Sequence, residues 1–337
     1  MNTGAVMEES AYSTDQVTAW LQHIRLPTSY SEYTVNPGIF PQTYEALSTL
    51  MRCQISRFPY ENLSVHYSPT HLVDIRPEVL YEKLMGPGRD GANGRGGYCM
   101  ELSIFFYHML RTLGFRVYMT GVRNRSRTNG VPGGEYQGFT HINNIVHLPS
   151  GQRFSIDVGF GGDGPTSPLP LDEQGRAVQN LGRQEVRLIH DNIPKQRVND
   201  TKLWIYQYRN APENAWNSFY SFAELEFFQE DFEVLNLWGS AKTLHRWTVL
   251  VVRFLRDGED VRFSDNPNIL LDDDDIKIVG KAMLVDNVIK VNLGGKTSIV
   301  HSFDSEEGRL QALKYYFGIT LTEQEAQTIR GWDKALG

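Results

Sequence analysis

Cysteine is scarce: Cys53 and Cys99 are the two thiols in 337 residues. Neither stands in a Cys-x-x-Cys pair or among histidines at metal-ligand spacing, so neither a disulfide framework nor a structural zinc is expected. Long apolar runs are also missing. No stretch reaches the roughly 18 residues that a membrane span needs. Met1 to Tyr12 carries neither the basic nor the apolar region of a secretory signal, which makes a cytoplasmic location the expectation. Positive charge is not in excess, since 40 acidic residues against 33 basic ones leave −7 at pH 7. Such a chain has no global field for nucleic acid or an anionic membrane, and an anionic cofactor would need a local basic site. Internal repeats and low-complexity linkers are absent, and nothing in the pattern gives the oligomeric state. The run from Gly86 to Gly94 is rich in glycine, but no Gly-Lys-Ser/Thr follows it and no strand precedes it. It reads as a flexible loop and not as a phosphate loop. Asp272 to Asp275 lacks the spacing to surround a cation and reads as a solvated turn.

What is present is organised around Arg95-Gly-Gly-Tyr-Cys99-Met-Glu101, where a glycine-rich turn runs into a long apolar segment. From Met100 to Leu113 the apolar spacing is helical, with Glu101, His108 and Thr112 on one narrow stripe, so a mostly buried helix is predicted. Cys99 then sits at a helix N-terminus, where free N–H groups and the macrodipole favour a thiolate. Upstream, Ser13 and Gln16 form a capping-box pattern before Val17, Trp20, Leu21 and Ile24. A second helix is predicted from Thr43 to Ile55, and a third begins at Pro77. Between them Phe58-Pro-Tyr-Glu-Asn-Leu63 is turn-like, and Glu61 reads most simply as a solvated charge.

Beyond Gly114 the period changes from helical to alternating. Phe115 to Thr120 reads as a strand and Gly121 to Gly138 as a long polar loop holding Arg123, Arg125 and Arg127. His141 to His147 and Arg153 to Val158 read as a hairpin around Pro149-Ser-Gly151. Further strands are predicted at Val186–His190, Lys202–Tyr208, Leu244–Leu255, Ile276–Leu284 and Val288–Leu293, as in a barrel or sandwich. Asp304 with Glu307, and Thr322 with Glu325, mark two final helices, the first ending at Gly318. A chain of this length holds roughly two or three domains.

A thiol nucleophile needs a base, and the base needs an acceptor to orient it. Nine histidines compete for the middle role. His108 shares a helix with Cys99 but lies on the order of 13 Å along it, at 1.5 Å per residue. His141 is better placed, because the predicted hairpin sets it on the strand beside Asp157, and adjacent strands lie about 5 Å apart.

With these residues in view the chain resembles the arylamine N-acetyltransferases. Arg95-Gly-Gly-Tyr-Cys99-x-Glu101 resembles that family's cysteine motif, His141-x-x-x-x-Val146 its histidine strand, and Asp157-Val-Gly-Phe-Gly161 its aspartate turn, in the family's order. Phe58 to Leu63 is similar to its Pro-Phe-Glu-Asn-Leu segment, with Tyr60 where phenylalanine is usual. Gln137 precedes Gly138 where some relatives carry threonine. Phe317-Gly-Ile-Thr-Leu321 resembles the end of the last domain.

The resemblance implies an α+β fold: a helical bundle (1–114), an antiparallel β-barrel (115–235) and an α/β lid (236–337), with a cysteine-protease-like Cys-His-Asp triad. It implies Cys99 as nucleophile, His141 as base, Asp157 as orienter, and Gly138 and Thr320 near the acyl donor. Tyr60, Tyr98 and Phe160 are candidates to line an acceptor pocket, and Glu61 with Arg95 would form a bracing ion pair. The implied activity is acyl transfer from acetyl-CoA or malonyl-CoA to an arylamine, arylhydrazine or similar xenobiotic amine. It would run by a ping-pong route through acyl-Cys99, with no permanently bound cofactor. A thiol hydrolase or transglutaminase-like enzyme would use the same triad, and a non-catalytic binding protein could share the scaffold.

Overall fold

Apolar residues recurring at helical spacing build the first part of the chain. Helix α1 (Thr14–His23) starts at a capping box between Ser13 and Gln16 and buries Val17, Trp20 and Leu21. Helix α2 (Tyr44–Arg57) is capped by Thr43, whose hydroxyl accepts from the Ala46 N–H at 3.3 Å. A short strand β1 (Tyr60–Glu61), a turn of helix α3 (Leu63–Tyr67) and helix α4 (Pro77–Met85), with proline at its first position, follow. Helix α5 (Cys99–Thr112) is the axis of this bundle. It is buried on nearly every side, with Phe105 and Phe106 wholly enclosed and the Phe106 ring 6.0 Å from that of Trp20. Truncating either phenylalanine to alanine would cost about 3–5 kcal/mol. That confinement fixes the position of the residue at the start of α5.

The computed structural model describes residues 9–86, 94–128, 130–264 and 276–337. Most of the Gly86–Gly94 run and the acidic run at 272–275 therefore lie outside the described residues.

The segment expected to be a loop from Gly121 to Gly138 is instead the outer part of a long hairpin. Strand β2 (Arg116–Thr128) pairs with β3 (Val131–His147) from Arg116↔His147 out to Thr128↔Val131, with register shifts on the way. Cross-strand contacts hold these polar arms together. The Arg123 guanidinium lies 4.0 Å from the Phe139 ring centre and that of Arg125 5.4 Å from Tyr136. Cation–π pairs of this kind replace the apolar alternation that usually marks a strand. Strands β4 (Arg153–Ile156), β5 (Leu169–Pro170), β6 (Val178–Gln179), β7 (Glu185–Asp191), β8 (Leu203–Arg209) and β9 (Asn217–Phe222) complete an antiparallel eight-stranded sheet. Its order is β5-β4-β3-β2-β9-β8-β7-β6, and β5 returns beside β7, so the sheet nearly closes into a barrel.

After the barrel come α6 (Gln229–Lys242) and the single turn α7 (Leu244–Trp247). The expected boundary between 235 and 236 falls inside α6. The strand expected from Leu244 begins only at β10 (Leu250–Arg256), because Thr243 caps a helical turn first. Strands β11 (Ile278–Val285), β12 (Val288–Asn292) and β13 (Ser298–Ser302) extend a second sheet, and its opposite edge is β1 from the helical part, through Tyr60↔Val252 and Glu61↔Val251. Helix α8 (Glu306–Phe317) is capped by Ser305 and not Asp304, and Gly318 closes it with φ of 69°. Thr322 and Glu325 form the capping box of α9 (Glu323–Thr328). No helix among the described residues is long and apolar enough to cross a membrane.

Candidate active site

Cys99 is the first residue of α5, and the chain reaches it through a tight passage. A side chain at Gly96 would strike the Pro59 carbonyl oxygen, 1.7 Å from where its Cβ would be. Only glycine allows that approach. Glu101, on the first turn, accepts the Tyr98 N–H at 3.0 Å and satisfies one of the orphan donors of the helix start.

Strand β3 brings His141 to the sulfur and the end of β4 brings Asp157. The His141 Nε2 lies 2.7 Å from Asp157 Oδ2, and Asp157 Oδ1 accepts the Gly159 N–H at 3.0 Å. Both carboxylate oxygens are thus held. A Cβ on Gly159 would come within 2.8 Å of the Cys99 Cα, so glycine lets the aspartate turn press against the start of α5. With Nε2 taken by Asp157, Nδ1 is the nitrogen left to face Cys99. Burial opposes a charge on His141. Asp157, by charge and hydrogen bond, and Cys99 outweigh it and push the imidazole up to about 10.

An aromatic group surrounds this trio. The Phe160 ring centre is 5.0 Å from that of His141, 4.7 Å from Phe219 and 4.8 Å from Tyr220. Tyr60, Phe160, Asp157 and Phe254 line a small pocket beside the carboxylate. Tyr98 is wholly buried, and its hydroxyl donates to Asn236 on α6.

Glu61 is no solvated charge, since it is fully buried. Arg95 Nε donates to its Oε1 at 3.0 Å, Lys83 Nζ lies 3.2 Å away, and the Leu63 N–H donates to Oε2 at 2.6 Å. Burial opposes this carboxylate's charge, but Arg95 and Lys83 outweigh it and hold Glu61 at about 2. Glu101, 2.7 Å from the same lysine, is pushed up by burial and by Glu61. Arg95 also reaches Glu325 at 2.9 Å and Ser64 at 3.2 Å, so β1, α3, α4, α5 and α9 meet at one ionic knot beneath the Cys99 loop.

Two expected contact residues stand apart from this centre. Gly138 is exposed on β3 with open space around it, and Thr320 is exposed after Gly318. The Gly318 carbonyl abuts Gly94, one residue before Arg95, which sets the Thr320 segment against the approach to Cys99.

Reading the sequence alone missed Lys83, Tyr206, Phe219 and Tyr220, Asn236 and His245. Lys83 shares no motif with the carboxylates it bridges. The aromatic pattern of β8 marked a strand but not that Tyr206 stacks on Tyr220, whose ring centre lies 5.9 Å from that of His141. His245 Nε2 stands 3.3 Å from the Tyr60 hydroxyl, and burial, with His141 and His66, pushes it down to about 4. Cys53, by contrast with Cys99, is enclosed on the buried face of α2, and burial drives it up to about 12 despite Arg256 and Arg52 nearby.

A profile of N-acetyltransferases matches residues 43–263, a span that includes Cys99, His141 and Asp157. An N-malonyltransferase of Gibberella moniliformis is 28% identical over 296 residues, covering 84% of this chain and 80% of that protein. Among solved structures, the arylamine N-acetyltransferase from Salmonella typhimurium superposes with a TM-score of 0.71 at 24% identity, over 95% of this chain and 100% of its own. That of Mycobacterium marinum in complex with CoA gives 0.67 at 22%, over 94% and 99%. At these identities the superpositions show a shared fold.

Proposed function

Since the chain belongs to the arylamine N-acetyltransferase family, we propose that it transfers a short acyl group from acyl-CoA to an arylamine, arylhydrazine or similar amine through an acyl-Cys99 intermediate. The observation that carries this reading is the alignment of Cys99, His141 and Asp157 at the start of α5, with both aspartate oxygens already engaged.

In the first half-reaction the Cys99 sulfur attacks the thioester carbon. The bond from that carbon to the CoA sulfur breaks, and CoA leaves with the His141 proton. Backbone N–H groups at the start of α5 are the donors for the developing oxyanion. In the second half an amine nitrogen attacks the acyl-cysteine, its proton passes to His141, and the carbon–sulfur bond breaks to regenerate the ion pair. Asp157 keeps the ring oriented and its charge balanced throughout. Ping-pong kinetics follow. The aromatic enclosure of Phe160, Phe219 and Tyr220 suits an aryl acceptor, and acetyl-CoA and malonyl-CoA are the donors to compare. Gly138 and Thr320 are proposed to border the CoA path, Thr320 because its segment abuts the approach to Cys99.

Release of free CoA, followed with a colorimetric thiol reagent with and without an arylamine, tests the reading. Release that accelerates with the amine supports acyl transfer. Release at the same rate without it indicates a thiol hydrolase, and no release contradicts both.

A further inference from the structure

Two histidines border the aromatic residues around the site, and the reaction just described uses one. The other, His245, stands on α7 with its Nε2 3.3 Å from the Tyr60 hydroxyl and its ring 4.9 Å from that of Tyr98, at 85° to it. Both tyrosines feel the charge of Cys99, and His245 feels that of His141. Tyr60 lines the small pocket beside Asp157, and Tyr98 immediately precedes Cys99, so the imidazole stands on the Tyr60 and Tyr98 side of the site.

Burial and the charge on Cys99 hold the Tyr60 phenol protonated. Donation from that hydroxyl to Nε2 satisfies both atoms and leaves the ring proton on Nδ1. That nitrogen is buried and has no partner among the described residues. A buried polar atom without a protein partner is uncommon in folded proteins and is open to a water or a ligand group.

The other cations around the site are committed. Lys83 bridges Glu61 and Glu101, Arg125 donates to the Gly134 and Ser218 carbonyls, Arg127 pairs with Asp163, and Lys281 donates to the Gly162 carbonyl. The triplet Arg123, Arg125 and Arg127 thus lies along β2, with its guanidinium groups engaged by carbonyls, rings and Asp163.

We propose that His245 forms the acyl-selectivity subsite: its Nδ1–H receives the free carboxylate of a dicarboxylic half-acyl group such as malonyl while that group is attached to Cys99. This rests on the acyl-transfer reading above. The carboxylate takes no part in bond exchange, so the thioester chemistry is unchanged. In the free enzyme burial, His141 and His66 keep the His245 ring neutral. A carboxylate arriving at Nδ1 favours its protonation and turns the contact into a charge-assisted hydrogen bond. An acetyl group offers nothing to that nitrogen.

The test compares kcat/KM for malonyl-CoA and acetyl-CoA in the wild type, His245→Phe and His245→Asn, with intact mass to follow the acyl adduct and melting curves to verify folding. His245→Phe is expected to lower the malonyl-to-acetyl ratio by at least about tenfold, the scale of one lost hydrogen bond to a charge. His245→Asn, which keeps an N–H near the Nδ1 position, should retain more of the ratio and serves if the phenylalanine variant does not fold. A ratio unchanged in both variants overturns the subsite, because the ring then only braces Tyr60. A wild type that takes up acetyl but not malonyl groups overturns it too. No adduct on Cys99 from either donor is a separate outcome that overturns acyl transfer itself.

Discussion

Of the two imidazoles at the site, His141 is buried and His245 half-buried with its Nδ1 enclosed; desolvation presses both towards neutrality, yet His141 is raised to about 10 and His245 lowered to about 4. What differs is the partner. His141 has the Asp157 carboxylate at 2.7 Å, whereas His245 has the Tyr60 hydroxyl at 3.3 Å. One carboxylate thus decides which imidazole carries a proton and which stays neutral. The turn Asp157-Val-Gly159 supplies that carboxylate, and it fits because Gly159 packs on the Cys99 backbone.

The strongest way to break the comparison is Asp157→Asn, which gives His141 a neutral neighbour like that of His245. Acyl transfer should fall by about 10²–10⁴-fold, the range for loss of acid–base function, as measured by single-turnover acylation. Stability should respond as well. A histidine whose pKa rises from 6.5 to about 10 on folding contributes stability that is fully present below 6.5 and is lost as pH rises towards 10. Asp157→Asn should flatten that alkaline arm in melting curves, and an unchanged arm would contradict the assignment.

The ionic knot around Glu61 tests whether the Cys99 loop needs a buried brace. Glu61→Gln leaves Arg95 and Lys83 short of their shared acceptor and should destabilise the protein by about 3–5 kcal/mol, read by chemical denaturation. Glu61 is held at about 2 against its usual 4.5, so its contribution is present above 4.5 and is lost as pH falls towards 2. The variant should therefore lose less stability than the wild type on acidification through that window.

On the side of the neutral imidazoles the expected effect is smaller. His66, His108 and His245 are each lowered from 6.5 to about 4, mainly by burial, so the unfolded chain binds their protons first as pH falls between those values. Stability contributed by their neutrality is present above 6.5 and lost towards 4. His245→Phe should remove one of these three contributions and make the acid arm of the melting curve shallower, and a steeper arm would contradict the neutral assignment. Smallest of all, Thr320→Phe should raise KM for acyl-CoA several-fold with little change in melting temperature. A shift confined to the KM of the amine would place Thr320 elsewhere.

Legibility in the sequence followed the same physics. Helix α5 was readable because its apolar residues surround it and the glycines before Cys99 mark the turn. Helix α6 was not, because its buried positions include Asn236, Gly239 and Ser240 while Val234, Leu237 and Trp238 are exposed. A polar and small-residue face against Tyr98 carries no hydrophobic period. The outer arms of β2 and β3 read as a loop because arginine–aromatic pairs hold them, although Asn129-Gly130 is a strong short-range hairpin signal. The grouping of Cys99, His141 and Asp157 in space was legible through triad logic and motif resemblance. His245 was missed because it acts across a gap of 185 residues through Tyr60, with no local pattern to announce it.

The most direct test of the central claim sets Cys99 against Cys53. Cys53 is fully enclosed and raised to about 12 by burial, whereas Cys99 stands at a helix start and acts on His141, whose imidazole is raised to about 10. Sub-stoichiometric iodoacetamide at about pH 6.5 should label Cys99 and spare Cys53, by the rule that thiolate character and access set alkylation. Preincubation with the preferred acyl-CoA should block the label and add one acyl group to the intact mass, whose increment tells acetyl from malonyl. Equal labelling of both thiols, or no acyl adduct from any short-chain acyl-CoA, would contradict the assignment of Cys99 as the nucleophile.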